Sequence, residues 1–210
     1  MEPSESSFAG AGCDEPRDHE LWVDQVGVFR VSLAREFLIG GPNPVQKPGQ
    51  IALQARLSRR QAGIVRSGES YLVRSERGVI VGDAPRQTEH LLADGAVLDL
   101  GEGVSLRFRM PHRLSPSARL EFLSDHRPVR RADAVILMSG TCLLGPGSDC
   151  HLVCPGWSQT VILLERQGAL WLKMERGVLL NGRPFETVTR LEHGDIVEGD
   201  DFRFRVEVIG

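Results

Sequence analysis

Apolar and polar residues alternate along most of the chain in short runs, which is the periodicity of half-buried β-strands. Residues 103–110 and 200–209 alternate apolar side chains with arginine or acidic ones, and residues 26–33 and 135–145 are rich in β-branched and other apolar residues. Residues 63–83 contain two alternating runs around a Ser-Gly-Glu sequence, which predicts a hairpin followed by a third strand. No segment keeps a helical period beyond one or two turns. The pattern therefore predicts an all-β protein.

A second pattern is internal repetition. Residues 76–97 match residues 175–196 at a constant offset of 99, with eight identical positions, where chance would give about one or two. In the first segment these positions are Glu76, Arg77, Gly78, Val79, Pro85, Thr88, Leu92 and Gly95. The same offset relates Leu21 to Leu120, and "RFRM" at 107–110 is expected to correspond to "RFRV" at 203–206 after a gap of three. A period near 100 residues indicates a whole domain copied in tandem.

The repeat predicts the domain organisation of the 210 residues. We expect a disordered N-terminal tail at 1–20, a first domain at 21–112, a linker at 113–119 and a divergent second domain at 120–210. The linker region is rich in proline, serine and basic residues, and it is short enough that the two domains should touch. Short strands with turn signals every 8–12 residues predict that each domain is an antiparallel β-sandwich.

Composition and charge narrow the class of protein. Apolar residues make up 41 % of the chain and the net charge is −3, so nothing at this level indicates a nucleic-acid partner. No stretch approaches the roughly 18 apolar residues of a membrane span, and the acidic, polar N-terminus has no apolar region typical of a secretory signal. Four cysteines are too few for a disulfide scaffold. We expect a cytoplasmic, reduced protein without a cofactor.

The order of motifs in the first domain resembles the forkhead-associated (FHA) family. The motifs are "FLIGG" at 37–41, "IAL" at 51–53, "LSRRQAGI" at 57–64, "RGVIVGDAP" at 77–85 and "LLADGAVLDLG" at 91–101. The resemblance covers residues 35–110 well. Residues 135–210 match at "LLGPG", "NGRP" and "LEHGDIVEGDDFRF". The resemblance implies two tandem FHA/SMAD-like sandwiches that bind phosphothreonine peptides through loops at one end.

Both copies depart from the family's binding motif. Gly41 and Pro146 occupy the positions where the family has its phosphate-binding arginine, so both copies are degenerate. In the first copy the family's serine is present as Ser58, and Gln61 replaces the histidine that braces the loop. A glutamine amide can donate the same kind of hydrogen bond, so the brace can survive. The family's Asn-Gly turn is replaced by "VGD", which puts Asp83 near the phosphate position.

The second copy keeps a different part of the motif. Ser158 aligns with the family's serine, but Val161 stands where the histidine is expected. Asn181 and Gly182 preserve the Asn-Gly turn, which in the family holds the peptide backbone. Since asparagine tolerates positive φ, a purely structural role for Asn181 stays open.

Other candidate sites follow from the residues alone. Arg59 or Arg60 could replace the missing phosphate contact, the alternative being a solvated basic loop. The set Cys142, Cys150, His151 and Cys154 has zinc-ligand chemistry, but its spacing is unlike common zinc motifs and buried cysteines often act as small apolar residues. The basic run at 126–131, with His112 and Arg113, is interpreted as a solvated surface rather than a nucleic-acid site.

The function predicted from the sequence is a non-catalytic protein–protein interaction module. No nucleophile elbow, phosphate-binding loop or metalloprotease motif is present. One hypothesis is phosphothreonine-peptide binding in signalling, with a threonine-phosphorylated partner such as a kinase or its substrate. Ser58, Arg59, Arg60, Gln61, Asn181 and Ser158 are the candidate binding residues. The alternative is a phosphate-independent scaffold or dimerisation module, favoured by the missing arginines because a buried dianion needs a cation.

Overall fold

A computed structural model describes residues 17–43, 46–174 and 177–209. The strands are β1 (Asp18–Val23), β2 (Gly27–Ser32), β3 (Glu36–Gly40), β4 (Gln50–Ala52), β5 (Ala62–Ser67), β6 (Ser70–Val81), β7 (Gln87–Leu92), β8 (Val97–Gly101), β9 (Val104–Arg109), β10 (Ala118–Phe122), β11 (Ala134–Leu137), β12 (Thr141–Gly145), β13 (Leu152–Val153), β14 (Val161–Arg166), β15 (Ala169–Lys173), β16 (Leu179–Leu180), β17 (Arg183–Pro184), β18 (Val188–Arg190), β19 (Ile196–Glu198) and β20 (Arg203–Ile209). The prediction of an all-β protein is confirmed. Within the described ranges no helix has the length and apolarity to cross a bilayer.

The first sandwich encloses a core contributed by β3 to β11. One layer has the order β4-β3-β5-β6-β7, and the other continues from the end of β6 through β8, β9, β10 and β11. Strand β6 serves both layers, because its pairing with β7 shifts between Arg74 and Val79 and Ile80 then pairs with Asp99 of β8. The sequence pattern predicted a separate third strand here. That prediction was wrong, since residues 79–81 continue β6 beyond Gly78, whose φ of +75° accommodates the irregularity.

The second sandwich encloses a separate core. One layer is the five-stranded sheet β13-β12-β14-β15-β18, and the other has the order β17-β16-β19-β20-β1-β2. Aromatic rings occupy one end of this core, where the Trp157 ring stacks on Phe202 with 4.6 Å between centroids. Strands β1 and β2 therefore pack with residues more than a hundred positions later in the chain.

The first strand of each predicted domain completes the sandwich of the other. Strand β1 pairs with β20, and Leu21 lies opposite Val206. Strand β10 pairs with β9, and Leu120 lies opposite Phe108. Leu21 and Leu120 are the two leucines that the 99-residue offset relates. Each occupies the equivalent position in the sandwich formed mainly by the other half of the chain. The domain boundaries stay predictions, with a first domain at 21–112, a linker at 113–119 and a second domain at 120–210. The structure adds that the two halves of the chain exchange their first strands.

The hydrogen bonds revise the alignment of the last strands. The amide of Gly95 donates to Phe108 O at 2.9 Å, and the amide of Gly194, 99 residues later, donates to Val206 O at 2.8 Å. Phe108 therefore corresponds to Val206 rather than to Phe204. The expected gap of three between "RFRM" and "RFRV" was wrong, and the hydrogen bonds require a gap of one. Both strands alternate arginine with apolar residues, so a shift of two residues still aligns identical residue types.

The N-terminal strand begins before the predicted boundary at residue 21. Of the predicted disordered tail, residues 1–16 lie outside the described residues, but residues 18–20 belong to β1 and are buried. Asp18 is held there by Arg30, whose Nε donates to Asp18 Oδ2 at 2.9 Å. The Gly49 amide also donates to Asp18 Oδ2 at 3.1 Å. This buried pair links the β1–β2 hairpin to the β3–β4 loop.

The two sandwiches share a continuous sheet. Strands β2 and β11 pair in parallel and join the two layers into a fifteen-stranded sheet. Successive side chains of β11 point to opposite faces. Ala134 and Ile136 lie in the second core, whereas Val135 and Leu137 lie in the first. One short strand thus contributes to both cores.

The predicted linker is fastened to both sandwiches. Ser115 Oγ and Ser117 Oγ donate to Thr141 O at 2.6 and 2.7 Å, and Tyr71 Oη in the first sandwich donates to Pro116 O at 2.6 Å. Ser115 and Ser117 are buried. The connection therefore fixes the start of β10 in place rather than acting as a loose tether.

We predict that Leu21→Ala destabilises mainly the second sandwich, although Leu21 precedes the first in sequence. Truncating a fully buried leucine costs about 2–5 kcal/mol, and the free energy of unfolding should fall by that order in urea titrations. Native-state hydrogen exchange should show the largest loss of protection in β20. Leu120→Ala, the matched variant, should instead lower protection in β9, and the opposite assignment would refute the exchanged pairing.

Candidate functional site

The loop between β4 and β5 carries four of the predicted site residues, Ser58, Arg59, Arg60 and Gln61. Gln61 is buried, and its Nε2 donates to Leu100 O at 2.8 Å. Its Oε1 accepts a hydrogen bond from the Ser58 amide at 3.3 Å. The glutamine amide therefore ties the loop to the end of β8. The resemblance implied this bracing role for Gln61 in place of a histidine.

Position 41 is closed to any side chain. The Gly41 amide donates to Ser58 O at 2.9 Å, so the start of the β3–β4 loop lies directly against the β4–β5 loop. A Cβ atom on Gly41 would lie 2.3 Å from Leu57 O and 3.3 Å from Ala55 O. An arginine here would require the β4–β5 backbone to move. With this backbone arrangement, position 41 therefore cannot supply a phosphate-binding cation.

The arginines of the β4–β5 loop have no ion-pair partner within the described ranges. Ser58 is half-buried, and Arg59 and Arg60 are exposed. Over the described ranges neither arginine, nor Arg56 before them, forms an ion pair or side-chain hydrogen bond. Arg60 lines a surface cavity of about 450 Å³ together with Arg74 and three carboxylates, those of Glu36, Glu76 and Glu89. The loop thus carries exposed guanidinium groups that have no ion-pair partner among the described residues.

The basic segment, residues 126–131, lies beside this loop. Pro128 forms an antiparallel bridge with Leu53, and the amide of Gln54 donates to Arg127 O at 2.8 Å. The segment belongs to the connection between β10 and β11. The sequence pattern predicted a solvated basic surface for this segment. No local pattern indicates that the segment lies next to the β4–β5 loop, about 70 residues earlier in the chain.

The corresponding end of the second sandwich is acidic. The amide of Ser158 donates to Asp201 Oδ2 at 2.6 Å. A cavity of about 660 Å³ is lined by Trp157 and by four carboxylates, those of Asp24, Glu198, Asp200 and Asp201. The single arginine there, Arg203, is paired with Glu198 at 3.2 Å. A phosphate dianion would be repelled at this end.

Contacts of Asn181 favour the structural interpretation. Its Nδ2 donates to Asp195 Oδ1 at 2.8 Å, and its Oδ1 accepts from the Ile196 amide at 2.9 Å. Asn181 has φ +53° and Gly182 has φ +73°, the conformation of a tight hairpin turn between β16 and β17. The amide that would hold a peptide backbone is therefore already used within the turn.

The cysteine and histidine set does not form a metal site. Within the part of the chain that the structure describes, no three or more His, Cys, Asp or Glu residues converge on a common point. Cys142, Cys150 and Cys154 are buried free thiols. Burial raises the pKa of Cys154 to about 12, so this thiol is protonated at neutral pH. Cys142 and Cys154 pack within the second core as small apolar residues.

Only part of the predicted site is assembled. Ser58, Arg59, Arg60 and Gln61 share one braced loop, whereas Ser158 and Asn181 lie in the second sandwich, each bonded to an aspartate. No hydrogen bond or ion pair between described residues connects the two groups. The sequence predicted neither the position of the basic segment beside the β4–β5 loop nor the contact of Asp201 with Ser158. Contacts between distant loops leave no local signal in the sequence.

Comparisons with known proteins give limited similarity. No protein-family model matches the sequence, and no curated protein matches it significantly. A structure from a structural and functional analysis of phosphothreonine-dependent FHA domain interactions is 27 % identical, covering 42 % of this chain and 90 % of that chain, with a TM-score of 0.28. A second FHA structure is 25 % identical, covering 45 % and 91 %, with a TM-score of 0.27.

A third structure is similar along most of the chain. The N-terminal FHA domain from EssC, a component of the bacterial Type VII secretion apparatus, is 14 % identical, covering 91 % of this chain and 95 % of that chain, with a TM-score of 0.25. At TM-scores this low none of the three establishes a shared arrangement of strands. The function is therefore inferred from this chain's own residues.

We predict that Gln61→Leu lowers the free energy of unfolding by about 1–3 kcal/mol, because Leu100 O and the Ser58 amide both lose their partner. Urea titration followed by circular dichroism measures this loss. Gln87→Leu, on the exposed edge strand β7, is the matched control and should change stability by less than about 0.5 kcal/mol. Equal effects of the two substitutions would contradict the bracing role.

A second prediction concerns pH and His151. Burial, and then the nearby His112, lower the pKa of His151 to about 4, and its Nδ1 accepts from the Leu143 amide at 3.0 Å. Between about pH 6.5 and 4 the unfolded chain binds a proton that the folded chain does not, so stability falls as pH falls through this window. The loss from pH 7 to 4.5 should be about 2 kcal/mol for this histidine.

His151→Asn tests this loss, because asparagine keeps an acceptor without titrating. Its unfolding free energy should fall less between pH 7 and 4.5 than that of the wild type. Burial also lowers the pKa of His19 to about 4. His19→Asn should therefore remove a similar part of the stability loss at acidic pH, and the double variant should remove both parts. An unchanged pH dependence in the His151 variant would refute the assignment.

Proposed function

We propose that this chain is a non-catalytic protein–protein interaction module that binds a phosphothreonine segment of a signalling partner at the end of the first sandwich. The observation that carries the proposal is the loop braced by Gln61, in which Ser58 is followed directly by two arginines without ion-pair partners among the described residues. The proposal includes a tandem origin of the two sandwiches and a cytoplasmic setting.

Physical requirements of phosphate recognition support this end of the molecule. A phosphate dianion needs charge-assisted hydrogen bonds from guanidinium groups, and it binds best where the donors are already ordered. The Gln61 brace orders the loop backbone, and the Ser58 hydroxyl is an additional donor. Arg59 and Arg60 are exposed and can turn toward a ligand without breaking an internal ion pair. The second sandwich lacks these features at its acidic end.

The partner in this proposal is a protein phosphorylated on threonine, such as a kinase or a kinase substrate. The first sandwich would hold the phosphorylated residue, and the flanking peptide would lie across the neighbouring loops. Catalysis forms no part of the proposal, because the groups gathered at this end are guanidinium, hydroxyl and amide donors that suit binding of an anion.

A second candidate function is a phosphate-independent scaffold or dimerisation module. The closed position 41 and the carboxylates at the second end favour it, because both remove the means of binding a dianion at the places expected from the sequence. The two candidates differ in one measurable respect. Only the first predicts that phosphorylation of the ligand increases affinity.

The test compares binding of matched phosphorylated and unphosphorylated threonine peptide libraries to the full chain. We expect a preference for the phosphorylated form, and a loss of at least about 100-fold in affinity in Ser58→Ala combined with Arg59→Ala, since hydrogen bonds to charged groups contribute about 1.5–3 kcal/mol each. Arg183→Ala, which removes the same charge from the exposed strand β17, should leave affinity unchanged.

Equal binding of phosphorylated and unphosphorylated peptides, or no binding to either, would reject phosphothreonine recognition in favour of the scaffold. Unchanged affinity in the Ser58 and Arg59 variant would instead remove the loop from the site. Analytical ultracentrifugation of the same preparations measures self-association, which the dimerisation alternative requires.

A further inference from the structure

The basic segment, residues 126–131, extends the end of the first sandwich. Besides the Pro128 bridge to Leu53, the amide of Val129 donates to Ala52 O at 2.8 Å, so backbone bonds on both sides of Leu53 hold the segment alongside β4. The segment follows β10 and precedes β11, and β11 pairs with β2 where the two sandwiches join. Its position is therefore fixed by backbone hydrogen bonds at its middle and by strands at both ends.

Three arginines of the basic segment differ in their contacts. Arg130 lies 3.7 Å from Glu20 and is turned toward the β1–β2 hairpin. Arg127 and Arg131 are exposed, and among the described residues neither has an ion-pair partner or a side-chain hydrogen bond. Both line a surface cavity of about 480 Å³ that includes Gln54.

A second cavity, of about 470 Å³, shares the lining residue Gln54 with the first and is also lined by Pro42, Arg56 and His126. The two cavities together are called the tip groove here. His126 is placed by its Nδ1, which lies 3.2 Å from Ser124 Oγ. Pro42 directly follows Gly41, so the tip groove lies next to the position where a phosphate-binding arginine was expected.

The charges in the tip groove are unbalanced. Its cations are Arg56, Arg127 and Arg131, and its carboxylates are Glu102 and Asp133. Asp133 Oδ2 already accepts the Val28 amide at 2.8 Å. Guanidinium groups that lie near one another without partners among the described residues repel one another, and a bound dianion relieves that repulsion.

We propose that the tip groove binds a phosphoryl group, with Arg56 and Arg127 as the cations that position 41 cannot supply. The ligand class is a phosphate monoester on a peptide side chain, and this identification of the source rests on the proposed function. The cation comes from a segment on the far side of the predicted linker, so the exchanged strands create the site. Arg131 lies farther along the groove and contacts the flanking part of the ligand.

The test follows backbone amide signals of the full ¹⁵N-labelled chain by NMR during titration with inorganic phosphate. We expect saturable shifts at residues 54–56 and at residues 126, 127 and 129, and no comparable shifts at residues 198–203 of the acidic cavity. Arg56→Ala and Arg127→Ala should each weaken binding at least about tenfold, the loss expected for one charge-assisted contact. Arg127→Lys should recover part of the affinity, because lysine keeps the charge without the planar fork.

Arg183→Ala is the control for loss of charge and should bind phosphate as the wild type does. Absence of saturable shifts in the tip groove, or wild-type affinity in both Arg56→Ala and Arg127→Ala, would overturn the proposal. Because all the substituted arginines are exposed, unchanged amide spectra outside the groove will show that each variant is folded.

Peptide titrations separate this inference from the proposed function. A peptide that binds only when phosphorylated, with affinity unaffected by Arg56→Ala and Arg127→Ala, leaves the proposed function standing and rejects the tip groove. Inorganic phosphate that binds in the groove, without any preference for phosphorylated peptides, leaves the groove standing and rejects phosphothreonine recognition.

Discussion

Reciprocal strand pairing is the constraint on which the rest of this structure depends. The backbone edge of β20 is paired with β1, with Leu21 opposite Val206, and the edge of β9 is paired with β10, with Leu120 opposite Phe108. Neither sandwich has a complete core without a strand from the other half of the chain. Because β2 and β11 then pair with each other, the two sandwiches are held in one sheet and their loop ends have fixed positions.

The same exchange determines which loop between strands lies at the end of each sandwich. The short β1–β2 connection, residues 24–26, brings Asp24 to the second sandwich, where it joins other carboxylates. The longer β10–β11 connection, residues 123–133, brings Arg127 to the first sandwich. These are equivalent connections, so a difference in their length and charge gives the two ends opposite electrostatic character. That contrast is the physical reason for assigning anion binding to the first end alone.

Local patterns in the sequence were sufficient for the all-β class and for most strands. Alternation predicted the hairpin at β5 and β6, and the resemblance to a known family, together with the chemistry of an amide, implied that Gln61 can brace its loop. Pairing between distant strands was not predictable, because Leu21 and Leu120 have the same local surroundings whichever partner strand covers them. The closure of position 41 also depends on a carbonyl sixteen residues later, which alternation does not encode.

Asp18 and Arg30 show how the exchanged arrangement is specified against alternatives. A buried ion pair adds little net stability compared with well-packed apolar residues, but separating it leaves an uncompensated buried charge that costs about 3–5 kcal/mol. Asp18 also accepts the amide of Gly49, and Arg30 Nη1 donates to Gln46 Oε1 at 3.2 Å, so both charges are satisfied only when the β1–β2 hairpin meets the β3–β4 loop. A slip of β1 by one residue would turn Asp18 to the other face and break these bonds. The pair therefore fixes the register of β1 against β2 within the hairpin, and it also holds the far end of the loop that begins at Gly41.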